Sequence, residues 1–160
     1  MAKAKSMPSD TSGFLDRNSL NMKGFGIRQI KVGQKASFSR TIEAADVHAF
    51  AGIICDFNPV HMNAEYARRS RFGQRIVHGM LTASHISTIV GMCIPGTDAI
   101  YLGQTIKFTA PVYFGDTITV EAEVIKVETE RRIAYLSTII KKQDGTVVLE
   151  GEATVMATKK

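Results

Sequence analysis

Apolar residues recur along the chain with two different periods, and the change of period falls near residue 99. "KASFSRTI", from Lys35 to Ile42, alternates at period two and predicts a short strand. "TIEAADVHAFAGI" follows with Ala45, Val47, Ala49, Phe50 and Ile53 at helical spacing and Thr41 as a candidate cap. Asp56-Phe57-Asn58-Pro59 then breaks the pattern. Asn58 suits an N-cap and Pro59 a first helical residue, so "NPVHMNAEYARRS" reads as a short helix, or a turn followed by one. "VHGMLTASHISTIVGMCI" is the most apolar segment. Met80, Leu81, Ala83, Ile86, Ile89, Val90 and Cys93 fall close to helical spacing, and Ala, Ser and Gly fill the remainder. That composition predicts a buried helix over roughly 78–93, ended by "PGTD".

Beyond residue 99 the chain alternates at period two in four stretches: "AIYLGQTIKFTAPVYF", "DTITVEAEVIKVET", "RIAYLSTIIKKQ" and "TVVLEGEATVMAT". Gly115-Asp116, Glu130-Arg131 and Asp144-Gly145 separate them as turn signals. Four consecutive strands with short links imply an antiparallel meander. With the early strand, the pattern predicts an α+β domain in which one antiparallel sheet wraps one long helix.

Composition adds limits. The 160 residues are 44% hydrophobic and 22% charged, ordinary for one globular domain with a proper core. No apolar run reaches membrane-spanning length, and the N-terminus has no apolar stretch of the kind a secretory signal carries. Cys55 and Cys93 match no metal-ligand spacing, and two reduced thiols fit a cytoplasmic protein. The net charge of +5 is unevenly placed. Residues 1–31 hold six basic and two acidic residues, whereas the rest holds fourteen and thirteen. The basic excess therefore belongs to a Ser-, Gly- and Lys-rich stretch, read as a flexible extension ahead of a balanced domain over 32–160. A nucleic-acid partner would call for basic charge on the folded body, interleaved with aromatics, so none is expected.

The chemistry concentrates in "DFNPVHMNAEYA" and "VHGML". Asn-Pro ahead of a helix is ordinary capping chemistry, and an Asp-His pair five apart is often incidental. The same residues also have a catalytic logic. A helix N-terminus offers unpaired N–H groups and the positive end of a dipole, and Gly79 lets a ligand approach that backbone. A carbonyl oxygen that gains negative charge would be stabilised there. Asp56 and His61, held toward one point by the Asn-Pro turn, would form a proton-transfer pair beside it. Both readings stand at the level of residues alone.

"DFNPVHMNAEYA…FGQRIVHGMLTAS" resembles the signature of the MaoC-like, R-specific enoyl-CoA hydratases. The likeness continues in order through "VGQKASFSRTIEAADVHAFAGIICDFNPVH", "IVHGMLTASHISTIVGMCIPGTDAIYLGQTIKFTAPVYFGDTITVEAEV" and "GEATV", covering about Val32 to Val155. The resemblance implies a single hot-dog domain, usually a homodimer, that hydrates trans-2-enoyl-CoA to (R)-3-hydroxyacyl-CoA. It implies no metal and no redox cofactor, coenzyme A being part of the substrate. It makes Asp56 and His61 the catalytic pair and Gly79 N–H the group that polarises the thioester carbonyl. It also makes Asn58 the scaffold of the pair, and Ser87 a hydrogen-bond partner of the catalytic acid. Ser87 reads equally well as a small packing residue.

Two positions depart from the family's pattern. Asn63 stands where many relatives carry an acid, a change expected to affect local capping. Gln74-Arg75 stand where relatives often have a proline or small residue. Arg68, Arg69, Arg71 and Arg75 cluster near the expected site. They are candidates for a coenzyme A phosphate, weighed against a simple solvated face. Cys55 reads as a packing residue, His85 as a core histidine, and Tyr101 and Phe108 as sheet-to-helix packing. A hot-dog acyl-CoA thioesterase and a non-catalytic acyl-CoA-binding protein are the alternatives; the first needs the same helix terminus, and the second would not need both Asp56 and His61.

Overall fold

The computed structural model describes residues 23–159. Its spine is a five-stranded antiparallel sheet of β1 (Lys35–Thr41), β2 (Ile100–Phe108), β3 (Thr117–Glu128), β4 (Ile133–Lys142) and β5 (Val147–Met156), in the order β1-β3-β4-β5-β2. Four helices accompany it: α1 (Ala44–Ile54), α2 (Pro59–Met62), α3 (Ala64–Arg69) and α4 (Gly79–Met92). The sheet wraps α4, as in a hot-dog fold, and the α+β expectation holds.

Wrapping needs curvature, and three of the four ladders supply it through register shifts at Tyr101/Gly103, Val124/Lys126 and Ile140/Lys141. The inner face of β3 presents Ile118, Val120, Ala122 and Val124, that of β4 Leu136 and Ile140, and that of β5 Leu149, Ala153 and Val155. These close on Leu81, Ala83, Ile86, Ile89 and Val90 of α4 in one continuous core. The helix is not buried all round: Met80, Ser84, Ser87 and Gly91 form an exposed stripe along its other side.

Four features depart from the sequence expectation. The meander runs only through β3, β4 and β5, because β2 pairs with β5 at the far edge. β2 ends at Phe108, and the link 109–116, with Pro111 in it, crosses to β3, giving its Val112 carbonyl to Val77 N–H on the way (2.8 Å). The expected domain boundary at residue 31 falls inside the fold. Ile27 and Ile30 are buried, and Phe25 N–H bonds the Pro95 carbonyl at 2.7 Å. Three apolar side chains separated by polar ones dock individually and carry no period to read. The rest of the expected extension, residues 1–22, lies outside the described residues. Helix α1 starts later than Thr41, which stays in β1 with its Oγ1 2.7 Å from Thr117 Oγ1. Asp46 Oδ2 instead accepts the Glu43 N–H at 2.9 Å, capping the helix from its own first turn. The buried face of α1 is then Val47 and Ala51 with Phe50 beside them, and Ile53 is left 77% exposed. No helix among the described residues is long and apolar enough to cross a membrane.

Gly151 marks the closest approach in the sheet, since a Cβ there would lie 1.9 Å from the Thr105 carbonyl oxygen on β2. Gly151→Ala is expected to destabilise the fold by at least about 2 kcal/mol, because backbone and not a flexible side chain must move. Urea unfolding of the variant, with an unchanged m-value and a lower midpoint, is the check.

Candidate active site

Residues 55–78 fold over the N-terminal end of α4 and carry the site. Cys55 ends α1 in the left-handed region (φ 58°) and turns the chain. Its thiol is exposed there and does not pack as expected. Asp56 follows, with Oδ1 accepting the Asn58 N–H at 3.1 Å. Asn58 Oδ1 accepts the Val60 N–H at 3.2 Å, and Pro59 opens α2, so Asn58 is the anticipated cap. Asn63 does the same for α3, accepting from Tyr66 N–H at 2.9 Å, which is the local capping role its position suggested.

His61 points inward from α2 and is 8% exposed. Its Nδ1 lies 2.8 Å from the Ile76 carbonyl. A carbonyl oxygen only accepts, so Nδ1 carries the hydrogen and Nε2 keeps a free lone pair. Ile76 also donates its N–H to the Val60 carbonyl (3.1 Å), so one residue holds α2 at two points. Burial is the main influence on the ring and pulls its pKa below 6.5. His78 adds to the lowering, while the Ile76 bond and Asp56 work against it. His61 is therefore held as a neutral base near neutral pH.

Gly79 is the first residue of α4, and the first intrahelical bond runs from Thr82 N–H to the His78 carbonyl (3.1 Å). The N–H groups ahead of it are those that a helix terminus leaves for a ligand. A Cβ at Gly79 would come within 3.0 Å of the Phe108 ring, so the bare backbone and that ring form one wall. The adjoining cleft, about 270 Å³, is lined by Ile76, Val77, Phe108, Pro111, Val112 and, at its polar side, Arg71.

Asp56, His61 and Gly79 thus come from three elements to one end of α4. Ser87 does not join them within the chain. It is exposed and lies two turns further along the helix, about 12 Å from Gly79 at 1.5 Å per residue. The arginines also separate. Arg68 pairs with Glu65 (2.9 Å), Arg75 lies over the Phe114 ring (4.5 Å), and Arg69 borders a different cleft beside Tyr66. Only Arg71 shares the cleft of Gly79, with its guanidinium over Phe72 at 4.8 Å.

Sequence reasoning reads His78 as the start of a buried helix, which it is, and misses its contact with His61. His78 stands at the N-cap of α4, 2% exposed, stacked on His61 with ring centroids 3.8 Å apart. A second histidine immediately before the motif glycine was the available signal. Nitrogen and carboxylate atoms of Asp56, His61 and His78 lie within 4.8 Å of one another, a spacing that raises a metal ion. One nitrogen of each ring is already engaged, His78 Nε2 by the Asp56 carbonyl (3.0 Å) and His61 Nδ1 by the Ile76 carbonyl (2.8 Å), which leaves one nitrogen of each for a ligand.

Comparison with known proteins bears on the chain as a whole. The family model described as "MaoC like domain" matches residues 28–144. The (R)-specific enoyl-CoA hydratase of Aeromonas caviae is 44% identical over 128 residues, covering 80% of this chain and 96% of that protein. The 3-hydroxybutyryl-CoA dehydratase of Methylorubrum extorquens is 42% identical over 131 residues, covering 82% and 83% respectively. Among solved structures, the R-hydratase PhaJ1 of Pseudomonas aeruginosa superposes with a TM-score of 0.81 at 39% identity, over 86% of this chain and 88% of that one.

The buried histidines give a stability signature. His61 and His85 are both held below 6.5 chiefly by burial. The unfolded chain therefore binds more protons than the folded one once pH drops under that value. Their contribution is complete above pH 6.5 and is lost as pH falls through the folded values. Tm is expected to decline between pH 7 and pH 5, and the decline to be shallower in His85→Gln, read by calorimetry across that range. Matched by that family model over residues 28–144 and by these relatives over about four fifths of its length, the chain belongs to the MaoC-like domain family.

Proposed function

We propose that the chain is an (R)-specific enoyl-CoA hydratase that adds water reversibly to trans-2-enoyl-CoA and, in reverse, dehydrates (R)-3-hydroxyacyl-CoA. The observation that carries this is the meeting of the Asp56 carboxylate and the His61 imidazole at the helix end that begins with Gly79. A thioester carbonyl accepting from Gly79 N–H is polarised there, which draws electron density from C3. Water held between the dyad members adds its oxygen to C3 and gives one proton to the dyad. The C2–C3 π electrons become the enolate, stabilised on the Gly79 side. A dyad proton then goes to C2. Water contributes one OH and one H, the dyad ends as it began, and no redox cofactor or metal enters. The two groups share these protons as a coupled pair. The relatives named for (R)-specific hydration and for 3-hydroxybutyryl-CoA dehydration support the same reaction in its two directions.

Hydration of crotonyl-CoA, followed as loss of enoyl-thioester absorbance, tests the reading. Wild type is expected to form the (R)-3-hydroxy product. Asp56→Asn and His61→Gln are each expected to lose about 10²–10⁴-fold in kcat while keeping wild-type circular dichroism. Release of free thiol in place of hydration would assign the site to a thioesterase. Binding of acyl-CoA without turnover of short or long enoyl-CoA would make it a binding module.

A homodimer belongs to the same reading. Strand β2 is a free edge that exposes Ile100, Leu102 and Phe108, next to the exposed Met80 stripe of α4. The two free thiols support a cytoplasmic setting. Sedimentation is expected to give twice the chain mass for wild type, and Leu102→Glu to shift the equilibrium toward the single chain.

A further inference from the structure

His78 is buried against the catalytic pair, yet the hydration chemistry gives it no proton to move. Its Nε2–H donates to the Asp56 main-chain carbonyl at 3.0 Å. One face of the ring stacks on His61, and Phe50 packs against it edge-on at 5.5 Å. Its Nδ1 is buried with no hydrogen-bond partner among the described residues. An orphaned buried nitrogen is a cost that a phenyl ring of similar size would avoid. Stability alone therefore favours an apolar side chain in this slot, and the imidazole's return has to come through Nε2.

That return is mechanical. The link 55–58 between α1 and α2 belongs to no strand or helix, and it turns through the left-handed Cys55. His78 fastens this link to the N-cap of α4 through Asp56 itself. Through its stack it also sets the second face of His61, whose edge is set by Ile76. We propose that His78 is a positioning residue, tying the acid and the imidazole of the dyad to the same helix end that presents Gly79 N–H. Its catalytic consequence rests on the hydratase reading; the tie itself does not.

The ring also faces His61 electrostatically. The other titratable group facing His61 is Asp56, from the link. Ile76 supplies a carbonyl, and Arg75 on the same segment is turned onto Phe114 and toward His48. Replacing His78 removes one influence that lowers His61, so His61 titrates at higher pH without it.

Two variants separate positioning from bulk. His78→Phe keeps the ring and the stack but deletes the donor. His78→Gln returns a side-chain N–H without an aromatic face. With crotonyl-CoA, His78→Phe is expected to lose about 10–100-fold in kcat with KM changed less than about threefold, since a displaced dyad slows chemistry more than binding. His78→Gln is expected to recover to within about tenfold of wild type. In proton–nitrogen spectra of the imidazoles, wild-type His78 is expected as the Nε2–H form, and His61 to titrate higher in both variants. Wild-type kcat in His78→Phe overturns the proposal. So does equal impairment of both variants. Should His78→Phe fail to fold by circular dichroism, His78→Ala takes its place as the variant without the donor: a kcat lower than that of His78→Gln supports the tie, and an equal kcat overturns it. If wild type hydrates no enoyl-CoA, the functional reading fails, while the wild-type His78 tautomer still decides the tie: the Nε2–H form keeps it and the Nδ1–H form overturns it.

Discussion

A fourteen-residue helix that carries Leu81, Ala83, Ile86, Ile89 and Val90 along one side leaves water only when another surface wraps that side. In this chain the wrapping surface is a single sheet, and a flat sheet would touch the helix along one line. Three register shifts bend the ladders enough for β3, β4 and β5 to close on α4 together. The helix then has one place to begin, beside the Phe108 end of β2 and under the link 109–116. Its first turn starts among Val77, Phe108 and Val112, and not in open solvent. Unpaired N–H groups in such a setting are worth more to a developing negative charge than the same groups in water. The sheltered setting of the helix N-terminus is in this sense a by-product of how its buried side is covered.

The dyad depends on that end for its own order. Helices of four and six residues are far too short to persist alone, so α2 and α3 exist through caps and tertiary bonds. Asn58 and Asn63 supply the caps. Ile76 supplies the tertiary bonds, taking the Val60 carbonyl with its N–H and the His61 ring with its carbonyl. Because Ile76 lies three residues before Gly79, the tautomer of His61 is fixed by the segment that leads into α4. The orientation of His61, the placement of its ring proton and the approach to Gly79 are thus set by one stretch of backbone.

Local chemistry was legible in the sequence because it is written in residue types with narrow uses. Asn58-Pro59 announced a capped turn, the run from Met80 to Cys93 announced a buried helix, and Asp56, His61 and Gly79 stood out against both. What escaped notice depends on contacts between distant segments. Nothing in β2 distinguishes a neighbour of β3 from a neighbour of β5; the bulge at Gly103 and the crossing 109–116 decide it in three dimensions. Phe25, Ile27 and Ile30 dock one at a time, so they look like an extension in one dimension. His78 looked like a helix start because its meaning lies in a ring seventeen residues earlier. Ser87 carries the reverse lesson: its place in the motif pointed to the acid, and its place on α4 turns it outward.

The two edges of the sheet are not equivalent, and their difference bears on that outward face. β1 exposes polar and charged side chains, and it is flanked by the pairs Lys35–Glu123 and Arg40–Asp46. Such an edge discourages further strand pairing. β2 instead exposes Ile100, Leu102 and Phe108 on an edge with unfilled hydrogen-bonding positions, close to Met80 and the small residues of the α4 stripe. Bringing apolar side chains and an open ladder together favours covering by a matching strand and helix face. A second copy of the chain offers both at once. Phe108 belongs to that edge and to the wall beside Gly79, so whatever covers β2 also borders the cleft where the thioester is expected to lie.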